Sequence, residues 1–162
     1  MARPKNIVAS VEVPVEEMGH GKKFESLRRR LGVAAGGEKL GCSLYELPPG
    51  KAAFPLHAHL ANEEAVYVLQ GEGVLRLGEA EHPIGAGDYI MLRAGGEPHQ
   101  IVNRSGAPLR YLAVSTMNYP EVATYPESQK LGIYADPTRA DRRHVVGIYR
   151  LSSAVDYWEG EE

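Results

Sequence analysis

The sequence predicts an all-β fold, an antiparallel sandwich or a jelly-roll barrel. Three observations carry that reading. From residue 40 onward, short apolar runs recur, separated by Gly, Pro or charged turns. The runs are rich in β-branched and aromatic residues, as in Val66-Tyr67-Val68-Leu69 and Tyr111-Leu112-Ala113-Val114. No helix of useful length interrupts them, which argues against a parallel α/β sheet.

Taken in order, Val11-Glu12-Val13-Pro14-Val15 alternates, but its proline demotes it to an edge strand or an arm. The stretch from Lys22 to Leu31 reads as one short helix stopped by Gly32, Gly36 and Gly37, or as an extended run along the barrel. Strands are then expected near 42–47, 52–59, 65–70, 73–78, 88–92, 98–103 and 109–116, with a weaker one at 81–84. Gly71-Glu72-Gly73 fits a tight hairpin, and Gly85-Ala86-Gly87-Asp88 a further turn. Residues 117–162 lose the alternation. Asp136-Pro137 and Arg139–Arg143 read as loop, and Val145 to Leu151 as one more strand. The expected organisation is a single domain: an N-terminal arm (1–40), a barrel core (41–118) and a C-terminal arm packed on the barrel (119–162).

At 162 residues and 43% hydrophobic, the chain is long and apolar enough to bury a core. Its formal net charge of −3 gives no global attraction to nucleic acid or to an anionic membrane. Two basic clusters, Arg28-Arg29-Arg30 and Arg139 to His144, read as solvated faces. A lone cysteine, Cys42, lies in an apolar run and is expected to be a buried strand residue in a reducing compartment. With neither a signal peptide nor a membrane-length apolar run in view, the expected location is the cytoplasm.

The chemistry concentrates in two windows. In the first, Gly50 precedes His57-Ala58-His59, then Glu64 and Gly71. On a strand, residues i and i+2 share a face, so His57 and His59 project together, about 6–7 Å apart along the chain, and can converge on one ion. Glu64 starts the next strand after a short turn and can return a carboxylate to the same point. In the second window, Gly95-Gly96-Glu97-Pro98 leads into His99 and Asn103, and His99 can supply a fourth ligand. Three imidazoles and a carboxylate suit a divalent Mn, Fe, Ni, Cu or Zn ion. Glu63 rivals Glu64, but the six-residue step to Gly71 favours Glu64. His20, His82 and His144 read as ordinary core or surface residues. Asn103 reads as a loop brace, and Gly71, Gly87 and Gly95 as turn residues needing unusual dihedrals. By parity, Val66, Val68 and Gln70 should face inward with Glu64, and Ile101 with His99.

These two windows resemble the paired motifs of the cupin superfamily, over roughly residues 41–116. Three departures stand out: a gap from Gly50 to His57 longer by one residue, Arg93 where a proline is usual, and a Gly95–Pro98 loop longer by one. The segments Tyr111–Met117, Tyr125–Ser128 and Asp156–Glu161 are similar to those of a bacterial group of small, single-barrel members. The resemblance implies a cupin-type jelly-roll (double-stranded β-helix) barrel holding one divalent transition metal on His57, His59, Glu64 and His99, with Glu64 and His99 catalytic. It implies a metal-dependent enzyme of dioxygenase, isomerase or lyase type acting on a small organic molecule. The alternatives are a non-catalytic ligand-binding or sensor protein and, third, a storage or scaffold barrel. The expected partners are a small-molecule ligand or substrate and a second copy in a homodimer, with no nucleic acid and no membrane.

Overall fold

The structure, a computed structural model, describes residues 3–135 and 147–161. The Asp136-Pro137 loop, the Arg139–His144 cluster and the first residues of the Val145–Leu151 run lie outside the described residues.

Thirteen strands build three antiparallel sheets among the described residues. They are β1 (Glu16–His20), β2 (Phe24–Arg29), β3 (Leu40–Leu47), β4 (Ala58–His59), β5 (Glu64–Gln70), β6 (Glu72–Leu77) and β7 (Ala80–Gly85). Then come β8 (Tyr89–Leu92), β9 (His99–Val102), β10 (Leu109–Thr116), β11 (Glu121–Tyr125), β12 (Lys130–Tyr134) and β13 (Gly147–Arg150). The sheets run β1-β2-β3-β10-β5-β8, β13-β12-β11-β4 and β7-β6-β9. The fold is all-β and of the jelly-roll type that the strand pattern predicts.

The expected strand over 52–59 is the least regular. Only Ala58–His59 forms a strand, and Ala52 and His57 make isolated bridges to Val102 and His99. The helix considered over Lys22–Leu31 is absent. Its extended alternative holds as β2, which pairs with β1 and β3, and α1 is confined to Leu31–Ala34. The reason is tertiary: Ser26 is buried at 1% exposure, and a strand between two partners satisfies backbone groups that an isolated turn of helix leaves open. Arg28 and Arg30 both pair with Glu16, and Arg29 donates to the carbonyl of Val13, so this basic cluster is bound up internally.

Gly71-Glu72-Gly73 is not a hairpin. The chain crosses there from β5 in the six-stranded sheet to β6 in the three-stranded one, and β6 finds its hairpin partner in β7. Gly71 sits at φ 85°, and a Cβ there would stand 2.5 Å from the Pro108 carbonyl, so the crossing needs glycine. A β-bulge opposite, between Arg110 and Tyr111, shifts the register and leaves Gln70 exposed although Val66 and Val68 face the core as the parity predicts.

The core lies between the six- and three-stranded sheets. Leu47, Val66, Val68 and Leu109 fill it from one side, Leu75 and Ile84 from the other. Asn103 is fully buried and closes its corner. Its amide donates to the carbonyls of Leu47 and Ala107 at 2.8 Å, and its oxygen accepts from the N–H and hydroxyl of Ser105. We predict that Asn103→Ala removes the amide donors to the Leu47 and Ala107 carbonyls and the acceptor for Ser105, and costs about 2–4 kcal/mol of stability, read from urea denaturation. A loss below about 1 kcal/mol would contradict the bracing role.

Candidate metal centre

The four residues singled out by spacing come together where β4, β5 and β9 meet. His57 and His99 face each other across a backbone bridge, His57 N–H donating to the His99 carbonyl at 3.1 Å and His99 N–H to that of His57 at 2.7 Å. His59 follows on β4, held from the other side by the Gly95 N–H at 2.7 Å. Glu64 opens β5. One ligand atom from each of His57, His59, Glu64 and His99 lies within 4.8 Å of the others, a cluster able to hold a metal ion. Glu63, the rival carboxylate, is exposed, and its backbone N–H binds the Thr116 hydroxyl. His20 and His82 are exposed, and His144 lies outside the described residues.

The imidazoles are aimed by their outer nitrogens. Nδ1 of His57 lies 2.8 Å from the Pro55 carbonyl, to which it donates, so Nε2 is left free. Nε2 of His59 and Nε2 of His99 stand 3.7 and 3.5 Å from the same Glu64 oxygen. The His99 Nε2 is buried without a hydrogen-bond partner. An orphaned imidazole nitrogen beside two others and a carboxylate is a donor set that fits a divalent transition ion.

Electrostatics prepare the same set. Burial, and then repulsion from His99 and His59, lowers the His57 pKa to about 4. Burial pushes the Glu64 carboxyl up, but the His99 imidazole beside it, followed by the charges of His57 and His59, outweighs it and holds the pKa below the usual carboxylate range. Neutral imidazole and ionised carboxylate are the metal-binding forms.

Beyond the cluster lies a cavity of about 30 Å³ that His57, Glu64 and His99 help to line. Its walls are mostly apolar, with Phe54, Val66, Leu92, Ile101 and Ala113 beside the polar Gln100, so Ile101 faces inward as predicted. Two phenols, Tyr45 and Tyr111, stack at 5.3 Å and complete it. Burial raises the pKa of both, that of Tyr111 well above its usual range, so they stay protonated donors.

Two contributors went unnoticed in the sequence, both on β11, which pairs Ala123 with His59 and Thr124 with Ala58. The Tyr125 ring stacks on His57 at 6.1 Å, its hydroxyl bonded to that of Tyr134. Glu121 is 4% exposed, and its Oε1 lies 3.7 Å from Nδ1 of His59. An acidic residue just after Pro120 was the available signal, but nothing local ties it to a histidine 62 positions earlier in the chain. Cys42 lies on β3, half-buried, its thiol pKa raised by burial.

Residues 43–115 match the family model described as the cupin domain. An oxalate-binding protein of Thermotoga maritima is 41% identical over 69 residues, 43% of this chain and 55% of that protein. The chain spans about half the length of the curated relatives it matches. A solved structure from Thermotoga maritima, described as a predicted oxalate decarboxylase, is 31% identical, covers 69% of this chain and 99% of its own, and superposes with a TM-score of 0.61. A sugar phosphate isomerase structure from Silicibacter pomeroyi, of the cupin superfamily, reaches a TM-score of 0.79 over 94% of this chain and 98% of its own at 24% identity, a likeness of fold. No helix among the described residues is long and apolar enough to cross a membrane.

The His57 shift sets a pH dependence. Between pH 6.5 and about 4 the unfolded chain binds a proton at His57 that the folded metal-free protein does not, so stability falls as pH falls through this window. The depressed Glu64 acts in the same direction below its ordinary carboxylate range. We predict that the chelated protein loses melting temperature steadily from pH 6.5 to 4, and that His57→Asn flattens the slope. Parallel slopes for the two proteins would contradict the buried, neutral His57.

Proposed function

This chain belongs to the cupin superfamily, and from that membership we propose that it is a metal-dependent enzyme acting on a small organic molecule, with dioxygenase, isomerase or lyase chemistry. One observation carries the reading: His57, Glu64 and His99 line the same apolar-walled cavity that Tyr45 and Tyr111 close. A structural metal is usually sealed by protein groups, whereas a catalytic one keeps a side open to a pocket. A divalent ion on His57, His59, Glu64 and His99 would supply Lewis-acid or redox chemistry to an oxygen of the bound molecule. The chain's own groups do the rest. Glu64 contributes negative charge and a proton acceptor at its carboxylate oxygen. Tyr111 offers a phenolic donor, and the aliphatic wall keeps bulk water from the reacting atoms. His99, fixed by its bridge to His57, holds its nitrogen toward Glu64. Among the described residues no lysine or arginine lines the cavity, which disfavours a phosphorylated substrate.

A second reading is a non-catalytic small-ligand binding protein. It is favoured by the relative named for oxalate binding and by a cavity that has room for only a few heavy atoms. The exposed apolar side chains of Tyr67, Leu69, Tyr89 and Met91 on β5 and β8 support a homodimer in either case.

The proposal predicts about one metal per chain by elemental analysis, with most of it lost in His59→Ala. Forms loaded with Mn, Fe, Ni, Cu or Zn are to be assayed against oxalate, diketones, thiols, phenols and sugars, following oxygen uptake and product. Turnover by one form that falls at least about 100-fold in folded Glu64→Ala and His99→Ala supports the enzyme. Thermal-shift binding without turnover in every form would establish the binding protein instead.

A further inference from the structure

We propose that Glu121 is a positioning residue for the metal centre: its carboxylate, carried on a strand outside the matched cupin domain, holds His59 with Nδ1–H turned outward and Nε2 turned to the other ligands. The inference rests on the reading of the cluster as a metal centre.

Three features of Glu121 argue for it. The carboxylate is buried at 4% exposure and cannot act as an ordinary surface charge. It is also held rigidly. Oε1 accepts from the backbone N–H of Leu60 at 3.0 Å and of Ala61 at 3.5 Å, and Oε2 accepts from the Asn62 amide. Asn62 is itself buried and fixed by the Asn118 carbonyl and N–H and by the Thr116 hydroxyl. Finally, the carboxylate faces a group that has no other partner among the described residues. Nδ1 of His59 is buried without a hydrogen bond, and Glu121 Oε1 at 3.7 Å is the acidic oxygen beside it, on the side of the ring away from Glu64.

A neutral imidazole carries one N–H. With that hydrogen on Nδ1 it points at a carboxylate, and a small ring rotation brings the pair within hydrogen-bond range. With the hydrogen on Nε2, a lone pair would face the carboxylate and the cluster would lose one donor atom for the ion. Glu121 therefore selects the tautomer that leaves Nε2 free, and its charge raises the basicity of that nitrogen. Pro55 does the same for His57 through its carbonyl, a neutral acceptor. Strand pairing makes the arrangement durable, because Leu60 N–H also donates to the Val122 carbonyl next to Glu121 at 3.0 Å.

The test uses the full-length protein with ¹⁵N-labelled histidine and Zn²⁺ as the probe metal. At neutral pH, long-range ¹H–¹⁵N spectra of the metal-free wild type should show His59 with its proton on Nδ1. Glu121→Gln should lose that preference and bind Zn²⁺ about 10–100-fold more weakly in chelator competition, while Glu121→Asp, which keeps the charge, recovers most of the affinity. Asn62→Ala removes the Asn62 bond but leaves the carboxylate, and should lower the melting temperature with less than about a 3-fold change in affinity. An Nε2–H tautomer in the wild type would overturn the proposal. So would a folded Glu121→Gln with unchanged tautomer and affinity, or Glu121→Gln and Asn62→Ala variants whose losses of affinity simply track their losses of stability. A wild type that takes up no metal would defeat the metal-centre reading alone, since the tautomer still decides what Glu121 does.

Discussion

The paired backbone hydrogen bonds between His57 and His99 are the contact on which the site depends. The two residues lie 42 positions apart in sequence, yet each donates its N–H to the other's carbonyl, as opposite residues of an antiparallel ladder do. No long strand surrounds them: β4 is two residues long and begins just after His57. Because the bridge fixes both backbones, the two imidazoles are brought to 4.7 Å without relying on side-chain contacts. The neighbouring constraints extend it. Gly95 N–H ties the second-window loop to the His59 carbonyl, so the glycine-rich stretch that is longer than usual is anchored where it passes the histidine cluster. Past this loop, His99 still meets His57 across the bridge.

The segment after the barrel core is part of this construction. β11 lies beside β4, and it brings a buried carboxylate behind His59 and an aromatic ring beside His57. β12 and β13 then continue the same sheet away from the site. The end of the described chain differs, since Val155, Tyr157 and Trp158 are largely exposed. Within the extension, β11 bears on the histidine cluster directly, and β12 supports it through the Tyr134 hydroxyl bonded to that of Tyr125.

What was legible in the sequence follows from the range over which each signal acts. His57 and His59 are two residues apart, so strand parity alone puts them on one face, and the joint spacing with Glu64 and His99 singled out the cluster. Local alternation likewise marked β3, β5, β6 and β10. It failed where pairing is non-local. The β2 residues Phe24–Arg29 have no strong strand signature, and they are extended because β1 and β3 flank them. Gly71 announced a sharp turn, but whether the chain doubles back or crosses to another sheet depends on Pro108 and Leu109, nearly forty residues later. Glu121 is the extreme case. Its meaning lies in a contact with His59 that strand register creates and that no local pattern encodes.

The energetics of the cluster run against folding, and this is informative. Three imidazoles and a carboxylate are packed into a partly buried pocket where protonating His57 is opposed by burial and by its two neighbours. Two imidazole nitrogens lack hydrogen-bond partners. An unpartnered buried polar atom costs about 1–3 kcal/mol. An apolar corner of the same volume would stabilise the barrel more, and the adjoining core, with Leu47, Val68 and Leu109 fully buried, demonstrates that the chain packs such corners elsewhere. Local sacrifices of stability of this kind mark functional positions, because a ligand that binds only the folded state returns the lost free energy. A divalent ion held by this cluster would act in that way: it would give the orphaned His99 Nε2 a partner, offset the charge of Glu64 and favour the neutral imidazole that burial already enforces at His57.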